Sequence, residues 1–167
     1  MKYNIDKIKL LSTIIVFTLL PHLHISAQVA VLKGSPKSII STTAEIPEGS
    51  SYVFTSGLTA TAIDATLEDG NYEKYGNTET QAMSILDKIK STLEAEGVGL
   101  KDVFSMKVFI SPDSQTGEFD FVGWNNAFKK YFGTEENPSK PVRATIGVAT
   151  LVNPHKFIEV EVIAAKK

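Results

Sequence analysis

The chain has 167 residues, no cysteine and a formal net charge of −2. Nucleic-acid binding calls for a basic face, so this mild acidity argues against such a role. Without cysteine, the stability of the fold has to come from packing or oligomerisation rather than from disulfides.

Residues 1–27 have the pattern of a secretory signal peptide. Three lysines near the start precede an apolar run over residues 10–20, and Ile25-Ser26-Ala27 supplies small residues before a cleavage site. The run is too short to cross a membrane comfortably, and no cysteine follows it to carry a lipid anchor. We therefore expect an exported protein, periplasmic or secreted, whose mature part is a single domain of residues 28–167 without membrane association. An uncleaved membrane anchor is the alternative.

Short strands are predicted at the start of the mature chain. Residues 29–32 form a short apolar run, residues 39–46 have mixed β character, and residues 51–55 are rich in β-formers. A turn separates the last two segments, which together suggest an opening hairpin. Residues 58–76 are polar and irregular, so they are either an ordinary crossover loop or a functional, partly mobile segment.

The first of two predicted helices begins at Asn77 or Thr78. Thr78 and Gln81 have the spacing of a capping box, and Gly97 is expected to end the helix. Its apolar positions at helical spacing are Ala82, Ile85, Leu86, Ile89 and Leu93. This stripe predicts core packing rather than a cofactor site.

A strand over residues 103–110 and a second helix over residues 118–132 are predicted next. Gly133 is expected to end this helix. Its predicted buried stripe consists of Phe121, Trp124, Phe128 and Phe132.

Two further strands are predicted over residues 141–150 and 157–164. In the first, one face carries Ala144, Ile146 and Val148, and the other carries Arg143, Thr145 and Gly147. In the second, one face carries Ile158, Val160 and Val162, and the other carries Glu159 and Glu161. The apolar faces are expected to pack under helices, which leaves Arg143 on the opposite face. A guanidinium beside small residues suits bidentate binding of a small carboxylate, whereas a solvated face of surface charges is the alternative.

Other chemistries are not supported by the residue pattern. His22 and His24 belong to the predicted signal peptide, and His155 after Asn153-Pro154 is expected to be a solvated turn residue. Ser56-Gly57 lacks the strand–elbow–helix frame of a nucleophilic serine, and no glycine-rich phosphate loop is present. We therefore expect no metal and no cofactor.

The ordered set of segments resembles the RidA/YjgF family of imine and enamine deaminases. The resemblance rests on residues 52–57, 81–97, 103–110, 124–132, 141–143 and 158–164. It implies the chorismate-mutase-like α+β fold, in which a mixed β-sheet carries two helices on one face. It also implies a homotrimer with sites in the clefts between subunits.

The resemblance further implies which residues form the site. Arg143 would hold the substrate carboxylate, and Glu159 would position or activate water. The remaining pocket residues would be Ser56, Gly57, Asn125 and Thr145, where Thr145 occupies the position of a family cysteine. The family's pocket tyrosine near the N-terminus has no counterpart around Pro36-Lys37.

The implied reaction is hydrolysis of a 2-imino or enamino acid, such as 2-aminoacrylate, to a 2-keto acid and ammonia. A trimer of the same fold that binds a small carboxylate without turnover, or regulates a partner, is the alternative. If the last two strands pair as a hairpin, Arg143 and Glu159 lie roughly 20 Å apart along the sheet. A site that uses both residues would then need Glu159 from a neighbouring subunit.

Overall fold

The structure is a computed structural model that describes residues 28–167. The predicted signal peptide, residues 1–27, lies outside the described residues. Within residues 28–167, no helix combines the length and the apolar character needed to cross a membrane.

The described chain contains seven strands and two α-helices. In chain order they are β1 (Val31–Lys33), β2 (Thr43–Glu45), β3 (Ser51–Phe54), β4 (Leu58–Thr59), α1 (Thr78–Ala95), β5 (Val103–Ile110), α2 (Phe121–Tyr131), β6 (Val142–Gly147) and β7 (Ile158–Lys166). Two short 3₁₀ helices, Tyr72–Lys74 and Leu100–Asp102, precede α1 and β5.

A mixed sheet organises the fold. Its strand order is β3-β7-β5-β6, with β4 also paired to β7, while β1 and β2 form a separate two-stranded hairpin. β6 runs parallel to β5, and β7 runs antiparallel to β5 on its other side. The sheet and the two helices have the predicted α+β architecture.

The last two strands do not pair as the hairpin that was considered from the sequence, because β5 lies between β6 and β7. The segment between β5 and β6 contains α2, and a crossover that contains a helix returns the chain parallel to the strand it left. The opening hairpin consists of β1 and β2, whereas β3 pairs with β7 in the central sheet.

The hydrophobic core lies between the sheet and the helices. The predicted stripe of α1 is confirmed, because all five of its residues are fully buried. In the predicted stripe of the second helix, Trp124 and Phe128 of α2 and Phe132 directly after it are buried as predicted, but Phe121 is 39% exposed. The opposite side of the sheet, here called the open face, carries no helix from residues 28–167 and exposes Tyr52, Phe54 and Ile146.

The N-terminus of α1 is capped by Asn77 and not by the predicted Thr78–Gln81 box. The Asn77 Oδ1 atom accepts a hydrogen bond from a backbone N–H of the first turn at 2.9 Å. Gln81 is buried and joins α1 to the segment before β7: it donates to the carbonyl of His155 at 3.3 Å and accepts from the N–H of Phe157 at 2.7 Å. This bond positions the start of β7, the strand that carries Glu159.

Residues 58–76 are attached to the rest of the domain by side-chain contacts. Tyr72 donates a hydrogen bond to the buried Asp113 at 2.7 Å, and burial together with this bond raises the pKa of Tyr72. Lys88 of α1 donates to the carbonyl of Thr59 at 2.8 Å. The segment therefore packs along α1 as a crossover connection.

Candidate functional site

Arg143 is held between β6 and α2. Its Cζ atom lies 4.5 Å from the ring centroid of Phe128 and 5.4 Å from that of Trp124. Its Nη2 atom donates a hydrogen bond to Asn125 Oδ1 at 2.7 Å. Aromatic faces attract a guanidinium, and the amide oxygen fixes its orientation. The name Arg143 cluster is used below for Arg143, Trp124, Asn125, Phe128 and Thr145.

The predicted assignment of the two faces of β6 is wrong. Arg143 and Thr145 are paired with Met106 and Val108 of β5, which are buried beneath the helices. Ile146 instead projects onto the open face, where it is 45% exposed. The alternation along a strand separates two faces, but it does not tell which of them is covered.

Three polar atoms of the Arg143 cluster are buried without a hydrogen-bond partner within residues 28–167. They are Nη1 of Arg143, Oγ1 of Thr145 and Nε1 of Trp124. Buried N–H and O–H groups are paired in the great majority of cases, so unpaired ones at a single location require an explanation. A carboxylate is a suitable partner, because its oxygens accept hydrogen bonds from guanidinium N–H groups and from hydroxyl groups.

The charge of Arg143 supports the same conclusion. Burial lowers the pKa of Arg143 to about 10, which leaves the guanidinium charged at neutral pH. None of the ion pairs formed within the described residues includes Arg143. A partly buried cation without a counterion is costly, so the cluster is suited to an anionic ligand.

Asp120 fixes the start of α2 and thereby the position of Asn125. Its Oδ1 atom accepts a hydrogen bond from the N–H of Gly123 at 2.7 Å, and the helix begins at Phe121 rather than at the predicted residue 118. Phe121 and Asn125 are four residues apart and therefore share one side of α2.

A second group of predicted site residues lies on the open face. Thr59 of β4 is paired with Glu159 of β7, and a Cβ atom on Gly57 would overlap Oε1 of Glu159. The carboxylate thus rests directly against the backbone at Gly57, next to the exposed Ser56. Within the described residues, Glu159 forms no ion pair. These residues, Ser56, Gly57, Thr59 and Glu159, are called the Glu159 cluster.

The two clusters do not meet within one protomer. Arg143 is paired with Met106, whereas Glu159 is paired with Phe109, three positions further along β5 and on its other side. Strand spacings then place the two Cα atoms roughly 14 Å apart. The side chains also project from opposite faces of the sheet. The larger separation predicted from the sequence depended on the incorrect hairpin pairing.

Sequence reasoning missed the aromatic support of the cation. Trp124 and Phe128 were assigned to core packing alone, whereas they are also the rings on which Arg143 stacks. Helical spacing cannot distinguish these two roles, because both place the ring beneath the sheet. Among residues 28–167, no group of three or more His, Cys, Asp or Glu side chains could hold a metal ion.

Comparisons with known proteins agree with this architecture. The family model described as endoribonuclease L-PSP matches residues 46–166. The chain is 33% identical over 87 residues to the 2-iminobutanoate/2-iminopropanoate deaminase of Escherichia coli K12, a match that covers 52% of this chain and 62% of that protein. The match therefore spans less than two thirds of that relative.

A second relative is matched over more of its length. TdcF of Escherichia coli K12, named as a reactive intermediate deaminase, is 32% identical over 116 residues, which cover 70% of this chain and 80% of TdcF. The crystal structure of E. coli TdcF with bound serine superposes with a TM-score of 0.55 at 24% identity, over 82% of this chain and 98% of that one. This superposition indicates a common fold.

Proposed function

Because the chain belongs to the RidA/YjgF family, whose model is described as endoribonuclease L-PSP, we propose that it hydrolyses reactive 2-imino and enamino acids to 2-keto acids and ammonia. The observation that carries the proposal is the partly buried guanidinium of Arg143, whose Nη1 is unpaired within residues 28–167, as is the hydroxyl of Thr145 on the same face of β6. Arg143 is also the only arginine in the sequence, and a planar guanidinium is well suited to bind a carboxylate.

The proposed reaction needs no strong nucleophile. An enamine takes a proton at C3 and becomes an imine, water adds to C2 of the imine, and the C–N bond breaks to release ammonia. Since such imines also hydrolyse in water, the contribution of the protein is to hold and orient the substrate. Arg143 binds the carboxylate and withdraws charge from C2, which makes water addition easier.

Glu159 is proposed to position the attacking water and to accept its proton. Because Glu159 lies on the opposite face of the sheet from Arg143, this role requires a second subunit. We propose a homotrimer in which the Glu159 cluster of one subunit faces the Arg143 cluster of the next. The exposed Tyr52, Phe54 and Ile146 support association, because large apolar side chains on an uncovered sheet face are typical of interfaces.

The proposed location is outside the cytoplasm, periplasmic or secreted. This proposal depends on the signal-peptide pattern of residues 1–27. Comparing the mass of the protein purified from a periplasmic or culture fraction with that of the full-length chain tests it. Recovery of the full-length chain in the cytoplasm alone would contradict export.

A trimer that binds a small carboxylate without turnover is the second candidate. The specific observation in its favour is that Arg143, Asn125 and Thr145 are brought together within one protomer, whereas Glu159 lies on the other face of the sheet. Both candidate functions predict that the protein binds a small carboxylate, but only the first predicts turnover. One experiment therefore distinguishes them.

The experiment follows ammonia release from 2-aminoacrylate generated in place by a dehydratase. We expect the protein to accelerate release above the uncatalysed rate, and we expect Arg143→Ala to reduce this acceleration by about 100-fold or more. Lys129→Ala, which removes an exposed cation from α2, serves as the matched control and should retain full activity. Normal turnover by Arg143→Ala would overturn the assignment. Pyruvate binding without any acceleration would favour the second candidate.

A further inference from the structure

Two phenyl rings lie beside the Arg143 cluster, and the proposed reaction gives them no role. The rings of Phe119 and Phe121 are stacked, with centroids 5.9 Å apart and an interplanar angle of 17°. Both are substantially exposed, at 41% and 39%. This pair is called the aromatic rim.

The rim is connected to the Arg143 cluster along β6. A Cβ atom placed on Gly147 would lie 3.1 Å from Cε1 of Phe119, so the ring packs on the bare backbone of this glycine. Gly147 alternates with Ile146 and therefore shares the helix-facing side of β6 with Thr145 and Arg143. A larger residue in place of Gly147 would displace the ring.

The rim is also connected to the cluster along α2. Phe121 lies one turn before Asn125 on the same side of the helix, and Asn125 binds Arg143. One turn corresponds to a rise of about 5.4 Å. The Arg143 guanidinium and the aromatic rim therefore lie at the two ends of one short surface between β6 and α2.

We infer that the aromatic rim receives the substrate side chain, so that the protein prefers 2-imino acids with an aromatic or large apolar side chain. This inference rests on the proposed function, because it places the substrate carboxylate on Arg143 and Thr145. Gly147, against which Phe119 packs, lies two residues or about 7 Å beyond Thr145 along β6, a span that a phenyl group on C3 covers and a methyl group does not. Stacking on the exposed rings would then remove apolar surface of both partners from water.

Calorimetric titration of the full protein with two 2-keto acids, phenylpyruvate and pyruvate, tests the inference. We expect phenylpyruvate to bind about tenfold more tightly than pyruvate. Phe119→Ala should abolish this preference and leave the pyruvate affinity unchanged, and Phe119→Tyr, which keeps the ring, should preserve the preference. Val122→Ala removes a 70% exposed apolar side chain from the first turn of α2 and is the matched control.

The outcomes separate this inference from the proposed function. Equal affinities for the two acids, both lost in Arg143→Ala, would overturn the inference and leave the proposed function intact. A uniform loss of affinity for both acids in Phe119→Ala would also overturn it, because the ring would then only support the fold of the site. Failure of the unmodified protein to bind either acid would overturn both proposals.

Discussion

Gly57 is the residue against which the carboxylate of Glu159 rests. A side chain at this position would occupy the same space as Oε1 of Glu159, although the backbone at Gly57 is not in the left-handed region. The glycine is therefore explained by the close approach of a carboxylate and not by backbone conformation. Only the end of a flexible side chain stands in the way, so a substitution here moves Glu159 without unfolding the protein.

The variant Gly57→Ala tests the role assigned to Glu159. We expect its kcat for imine hydrolysis to fall by about 100-fold, towards that of Glu159→Gln, because a displaced general base no longer contacts the attacking water. The melting temperature should change little. Gly99→Ala, at which the nearest side-chain atom is 4.0 Å away, is the matched control. Wild-type kcat in Gly57→Ala would show that the position of Glu159 is irrelevant to turnover.

At the scale of secondary-structure elements, the N-terminus of α2 supports the Arg143 cluster. The Asp120 side chain caps this helix and sets the position of Asn125 one turn later. Asn77 caps α1 in the same way, but none of the predicted site residues lies on α1. The two caps are therefore chemically similar and differ in their distance from the site.

This difference gives a matched pair of variants. We expect Asp120→Ala and Asn77→Ala each to lower the free energy of unfolding by about 1 kcal/mol, measured by urea denaturation. Only Asp120→Ala should also weaken the binding of pyruvate, measured by calorimetry in the absence of denaturant. Equal effects of the two variants on pyruvate affinity would contradict a specific role for the start of α2.

The secondary-structure elements also show which features of the fold could be predicted from the sequence. Residues 103–110 were predicted as a strand with the bounds of β5, because their apolar run is flanked by clear turn signals. The covered face of β6 could not be predicted, since the face with Ala144, Ile146 and Val148 is the more apolar one, and Arg143 is accommodated under the helix only because its guanidinium stacks on the Phe128 ring. The caps were misplaced because adjacent polar residues such as Asn77 and Thr78 have similar capping preferences.

At the scale of the whole molecule, the ordered segments were sufficient to predict the α+β fold, but not the strand order. Whether β6 pairs with β7 as a hairpin or with β5 after a crossover depends on how α2 packs, which is a property of the folded chain. As a result, the sequence indicated which residues to inspect as a site, whereas the division of these residues between two faces of the sheet is known only from the structure.

The proposed homotrimer makes a quantitative prediction for mixed subunits. Arg143→Ala and Glu159→Gln should each be inactive alone. After the two variants are unfolded together and refolded at equal concentrations, about a quarter of the sites should combine an intact Arg143 with an intact Glu159 from different subunits. The recovered turnover, measured with 2-aminoacrylate, should approach that fraction. Complete absence of recovery in a mixed trimer confirmed by mass spectrometry would exclude a shared site.

Trp124 is the only tryptophan of the chain, and it contacts the only arginine. Tryptophan fluorescence therefore arises from a single indole next to the guanidinium, and no label is needed to observe this position. A ligand that moves the Arg143 guanidinium away from the indole changes the tryptophan emission. The emission therefore reports ligand binding at Arg143. The same property allows arginine-selective dicarbonyl reagents to mark one defined position, with the indole signal reporting the progress of the modification.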